Sequence, residues 1–136
     1  MLAAIPLLSL FGLFGERTAR RRAASAKLEL AATFPERFRY RQSQPLEVIV
    51  RNLSQREIDT VHVSIDTAYL SRFTDVRITP SPRIAYIVDI LHVRPGESRL
   101  VALQIGADRY GWHHGWIAAI ADGDSIAIPI RTLVFP

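Results

Sequence analysis

The sequence predicts an all-β domain, an antiparallel sandwich of about seven to eight strands, preceded by an apolar N-terminal helix associated with a membrane. Three observations predict it. Apolar residues recur at every second position from Lys27 onward. Glycines and prolines fall singly at the ends of those runs, where turns need them. Residues 1–15, MLAAIPLLSLFGLFG, carry no charge at all. A chain of 136 residues has room for one domain with its own core. It divides into an apolar membrane segment over 1–15, a basic juxtamembrane linker over 16–27 and the sandwich over 28–136.

In the first segment Ser9 is the one polar side chain, and apolar residues lie all round a helix rather than along a stripe. Such a segment needs burial on every side. An apolar run followed at once by RTARRR fits a membrane segment with its headgroup-binding flank. Leu2, Ile5, Leu7, Leu8, Leu10, Phe11, Leu13 and Phe14 are then the embedded side chains, with Arg17, Arg20, Arg21, Arg22 and Lys27 at the headgroups. A full span needs about 20 apolar residues, so the helix either enters part of the bilayer and docks on other membrane proteins or begins further upstream. Burial in the domain's own core is one rival. A cleavable signal peptide is another, but it needs basic residues ahead of the apolar stretch, and here they follow it. Positive flanks stay cytoplasmic, which puts the sandwich on the cytoplasmic side, with the periplasmic side as the alternative.

The charge pattern agrees. Of 17 basic residues 16 are arginine, and from Leu28 onward 12 basic residues meet 12 acidic ones. The excess of +4 therefore sits in the collar. A neutral globular part argues against a nucleic-acid surface. The absence of cysteine excludes disulfide frameworks, thiolate zinc sites and cysteine nucleophiles.

The strands follow in order. Leu28, Leu30, Ala32 and Phe34 alternate with Lys27, Glu29, Ala31 and Thr33 as a half-buried strand. PLEVIVRN and TVHVSID, joined by the turn residues NLSQRE, read as adjacent antiparallel strands with Leu46, Val48, Val50, Val61, Val63 and Ile65 inward. TAYLSRFTD lacks alternation and suits a short helical turn. Val76 and Ile78 then suggest a brief strand stopped by the prolines of ITPSPR. Tyr86 to Val93 and SRLVALQI are two more strands around the RPGE turn. The sharpest hairpin is GWIAAI, a bend at Asp122-Gly123, then SIAIPI. Pro129 lacks an N–H, which places the last strand at a sheet edge on the side that residue faces.

These patterns, PLEVIVRNLS, IDTVHVSID, VRPGESRLVALQI and YGWHHGWIAAI, resemble immunoglobulin-like modules of bacterial cell-adhesion-related proteins over residues 26–136. They are also similar to the N-terminal sandwich of uncharacterised bacterial membrane proteins in which membrane helices and basic residues precede the module. The resemblance implies an immunoglobulin-like sandwich. It implies no functional residues, because the shared positions are core and turns.

The search for chemistry finds no nucleophile elbow, P-loop, GxGxxG or HExxH. No catalytic residue, cofactor or small-molecule substrate is expected. His62, His92, His113 and His114 show no metal-ligand spacing, and neighbours 113 and 114 point to opposite faces of a strand, so surface histidines and no metal are expected. The densest cluster is YGWHHGW, where Tyr110, Trp112, His114 and Trp116 share one face. They form either a partner-binding patch or the aromatic closure of the core. The need of a sandwich for bulky side chains favours closure.

The expectation is a non-enzymatic, membrane-anchored accessory subunit that stabilises the integral membrane proteins of a bacterial complex, with respiratory and photosynthetic assemblies as fitting hosts. The alternative is a module that recognises carbohydrate or peptide through the aromatic face.

Overall fold

The computed structural model describes residues 17–84 and 86–136. They form nine strands and one short helix: β1 (Arg17–Ala24), β2 (Leu28–Arg39), β3 (Ser43–Asn52), β4 (Ile58–Ile65), α1 (Thr67–Leu70), β5 (Phe73–Thr79), β6 (Ile87–Val93), β7 (Ser98–Ala107), β8 (Gly111–Ala121) and β9 (Asp124–Phe135). The hydrogen-bonded order is β5-β7-β3-β2-β9-β8-β4-β6, with β1 added on β2. Strand alternation sends one side of every long strand inward. Leu46, Val48 and Val50 of β3 and Val101, Leu103 and Ile105 of β7 share one cluster with Val61 and Val63 of β4, Ile117 of β8 and Ile128 and Ile130 of β9. The sheet thus folds over into two facing layers around one core.

The fold turns at β2. Leu28–Thr33 pairs antiparallel with β3, whereas Arg37–Arg39 pairs in parallel with Leu133–Phe135 of β9. Between these pairings Pro35 has no N–H to leave unmet. Its carbonyl accepts the Thr132 hydroxyl at 2.7 Å. The Tyr69 hydroxyl lies 2.7 Å from Thr132 Oγ1. Because the threonine proton is committed to Pro35, Tyr69 donates the second bond. Burial pushes the Tyr69 hydroxyl well above its ordinary pKa, a rise that the Thr132 bond partly offsets. Gly115 of β8 backs onto this tyrosine: a Cβ there would come within 2.4 Å of the Tyr69 Cβ.

A second buried polar group joins the layers at the other end. Asn52 is fully buried, and its amide donates to the carbonyls of Arg56 (2.7 Å) and Val93 (2.9 Å). Its Oδ1 accepts from the backbone and the hydroxyl of Ser54. All four hydrogen-bonding positions of the amide are filled, as burial demands.

Several expectations hold: the inward set Leu28, Leu30, Ala32 and Phe34, the helical turn after Ile65, and the β8–β9 hairpin. There Asp122 (φ 49°) and Gly123 (φ 73°) supply the two positive φ angles of a tight hairpin turn. β9 is not the edge strand that Pro129 suggested, since it lies between β2 and β8, but its parallel contact with β2 is confined to Leu133–Phe135 and leaves Pro129 outside that pairing.

Two expectations are corrected. β3 and β4 are not neighbours: β3 pairs with β2 and β7, and β4 with β6 and β8. The connection NLSQRE crosses between layers because the Asn52 side chain holds it against the end of β6. Arg17–Ala24 is also no linker but a strand paired along β2. The β1–β2 turn is latched by Asp124, which accepts the Ser25 hydroxyl and the Lys27 N–H.

Replacing Thr132 by Val strands both the Tyr69 hydroxyl and the Pro35 carbonyl, and is expected to cost about 2 kcal/mol of stability in urea unfolding. Gly115→Ala, which collides with Tyr69, should cost about 1–3 kcal/mol by overpacking. Normal stability in both variants would show that the Tyr69 corner does not hold the layers.

Candidate functional site

Along β8 the even positions face solvent and the odd positions the core. Tyr110, Trp112 and Trp116 are 58%, 45% and 42% exposed, and His114 is exposed between the two tryptophans. The aromatics therefore do not close the core. Phe34, Phe38, Tyr69 and Phe73 fill that space, and Phe38 and Tyr69 supply the bulk that the tryptophans were expected to provide.

The outward row is embedded in a wider face. His114 lies opposite Arg131 of β9 and Trp116 opposite Pro129. The Arg131 guanidinium sits 5.2 Å from the Trp112 ring centre, and Trp112 and His114 stack with centroids 6.3 Å apart. Arg131 also reaches toward Glu36 at 3.8 Å. Further along, Ile120 stands opposite His62 of β4, and Ile120 and Leu91 of β6 are 46% and 53% exposed. His62 Nδ1 meets Asp89 Oδ1 at 2.6 Å, and Arg83 Nε bonds the other carboxylate oxygen. The His62 hydrogen bond, chief among the causes, and Arg83 together hold the Asp89 carboxyl below the usual range against the opposing effect of desolvation. Tyr110 stands apart from this row, its ring 4.6 Å from that of Tyr40. These two tyrosines sit beside a shallow cleft of about 300 Å³ lined by Tyr40, Arg41, Ser43, Asp75 and Asp108 among others.

His113 corrects the expectation of surface histidines. It is buried at 3% exposure, edge-on to Phe73 at 5.3 Å. Its Nε2–H donates to the Arg109 carbonyl at 2.8 Å, leaving Nδ1 buried without a partner. A second group was missed altogether. Glu57, Asp59 and His92 bring one ligand atom each to within 4.8 Å of one another. They meet because β4 and β6 pair around Ile58↔Val93 and Thr60↔Leu91; only that register reveals the group. All three are exposed, and exposed carboxylates gather in this way without an ion, so the group carries no cofactor assignment.

The basic collar divides. Arg17 pairs with Glu36 at 3.5 Å. Arg20, Arg21 and Arg22 are exposed and form no ion pair among the described residues. Lys27 lies beyond the far end of β1, where its Nζ donates to the Asp122 carbonyl at 3.1 Å. Leu2, Ile5, Leu7, Leu8, Leu10, Phe11, Leu13 and Phe14 lie outside the described residues, and with them the expected N-terminal helix. Among the described residues no helix is long and apolar enough to cross a membrane.

No family model matches the chain, and no curated protein is similar to it. Among solved structures it is similar to a CARDB domain from Pyrococcus furiosus, solved in complex with di-metal ions, at a TM-score of 0.52 and 14% identity, covering 82% of this chain and 97% of that one. It is also similar, at a TM-score of 0.44 and 12% identity, to the GAE domain of GGA2p from Saccharomyces cerevisiae, covering 87% and 98%. The first likeness shows the fold alone, a β-sandwich module.

The two adjacent histidines should separate cleanly in mutagenesis. His113→Ala empties a packed site and is expected to lower stability by about 2–3 kcal/mol, while His114→Ala stays within about 0.5 kcal/mol. Equal effects would contradict the assignment of their faces. Acid titration offers another check. A carboxyl whose folded pKa is depressed contributes stability that is complete above its unfolded pKa, near 4, and is lost as pH falls below that. Asp89→Asn should therefore flatten the acid limb of the stability profile below about pH 4.

Proposed function

We propose that this chain is a non-enzymatic, membrane-anchored accessory module that binds an integral membrane protein of a bacterial complex through the outer face of β8. The observation that carries this reading is the exposure of Trp112 and Trp116 on one strand of a well-filled sandwich. Large aromatics left in water by a domain whose core is complete are the residues that dominate protein interfaces. The face they share with His114, Pro129, Arg131 and Ile120 mixes apolar area with an arginine already ordered over a ring, so little side-chain freedom remains to be lost on binding. Residues 1–15 and the arginines that follow support anchorage at a bilayer, with the sandwich on its cytoplasmic side.

A second reading, recognition of carbohydrate or peptide, draws on a different feature. Tyr40, whose ring meets that of Tyr110 at a tilt, lines a cleft that also offers Arg41, Asp75 and Asp108. Aromatic rings beside hydrogen-bonding side chains suit such ligands.

The test is to tag the C-terminus, extract native membranes in mild detergent and identify what co-migrates. A stoichiometric set of integral membrane proteins is expected with the unaltered chain. Its loss is expected in a folded Trp112→Ala/Trp116→Ala variant, at a cost of at least about 2 kcal/mol per hot-spot tryptophan. A chain that migrates alone overturns the accessory reading. Tryptophan fluorescence that shifts with a glycan or peptide, and is blunted by Tyr110→Ala, would then establish the second.

A further inference from the structure

The arginine collar is a strand, and that restricts how the domain can meet a membrane. Among the described residues β1 pairs with β2 alone, so within them its other edge is an unpaired rim of the sandwich. Ala19 and Ala23 pack on the core, Arg21 shares their face of the strand and Arg20 and Arg22 the other, and all three arginines are exposed without an ion pair among the described residues. The apolar run ends at residue 15, two positions before this strand begins. Wherever that run is held, β1 is held beside it.

Distance decides the orientation. A strand rises about 3.3 Å per residue, so Arg22 lies roughly 17 Å along the strand from Arg17. The headgroup layer of one leaflet is only about 5–8 Å deep, the difference between a hydrocarbon core of about 30 Å and a total of about 40–45 Å, halved. With β1 upright, Arg22 would stand clear of the headgroups. With β1 lying along the surface, the long side chains of Arg20, Arg21 and Arg22 flank the edge on its two faces and bend down to phosphate and carboxylate oxygens, each contributing about 1 kcal/mol against an anionic leaflet.

We propose that the β1 edge lies flat on an anionic lipid surface, with Arg20, Arg21 and Arg22 as its contacts, so that both layers of the sandwich stand upright from the bilayer. This rests on the reading of residues 1–15 as a membrane anchor. In the layer containing the aromatic face, β9 is then the strand nearest the lipid, since its end pairs beside β2. β8 follows at a further interstrand step of about 4.8 Å. Trp112 and Trp116 point sideways, parallel to the membrane plane, toward whatever protein stands beside the domain.

The natural sequence has no cysteine, so single-cysteine variants label at one place. The full chain is reconstituted in phosphatidylcholine vesicles with or without phosphatidylserine, with a fluorophore on Thr18→Cys, Ala24→Cys or Leu91→Cys and a headgroup-bound quencher. All three positions are exposed. The expected result is that the label at 18 is quenched in both kinds of vesicle, that the label at 24 is quenched to the same degree only with phosphatidylserine, and that the label at 91 is spared. Arg20→Gln/Arg21→Gln/Arg22→Gln should abolish quenching at 24, although the chain still floats with the vesicles. With phosphatidylserine present, quenching at 18 with none at 24 means an upright strand and overturns the proposal, as does quenching at 24 that is indifferent to phosphatidylserine or to the triple substitution. A chain that does not float at all overturns the anchor reading itself, a different failure from a floating chain whose sandwich hangs free.

Discussion

The two layers of this sandwich depend on the point where β2 leaves one partner for another. A strand that switches layers must pass through a few residues whose backbone groups the ladders cannot serve. Pro35 removes the donor at that point, and the Thr132 hydroxyl satisfies the carbonyl. Tyr69 completes the arrangement, and the space its ring occupies requires Gly115. That requirement reaches the surface. With Gly115 fixed inward over the tyrosine, alternation along β8 obliges Trp112, His114 and Trp116 to face solvent. The buried hydroxyl pair and the exposed aromatic row are two sides of one constraint.

Much of the fold was legible because strand periodicity depends only on nearest neighbours along the chain. The inward sets of β2, β3, β4, β7 and β9 and the Asp122-Gly123 hairpin need no knowledge of partners. Partnership is where local reading ends. NLSQRE has the composition of a hairpin turn, yet Asn52 spends its amide on the carbonyl of Val93, 41 residues away, and the chain crosses layers instead. β1 was hidden for a related reason. RTARRRAA has little strand propensity of its own, and becomes a strand because the free edge of β2 offers a ladder.

The candidate site was legible in membership and not in role. Alternation correctly grouped Trp112, His114 and Trp116, but whether that group faced in or out turned on how much bulk the core already held. Phe38 and Tyr69 decide that, and neither stands out in the sequence. His113 went the other way, since a histidine beside an exposed histidine gives no sign that Phe73 and the Arg109 carbonyl await it. Glu57, Asp59 and His92 were invisible for want of a register.

The Asp124 latch has a consequence for assembly in time. The turn that ends the arginine strand is closed by the first residue of β9, and the switch at Pro35 is closed by Thr132, 97 residues later. Contacts so distant along the chain form slowly, because the intervening loop must close first. While the ribosome is still making β8, the amino-terminal hairpin has neither its latch nor its corner, and a basic strand emerges early with one flank already exposed. If the apolar run has by then entered a bilayer, the nascent sandwich is tethered beside lipid before it can close, and the final strand completes the domain in place.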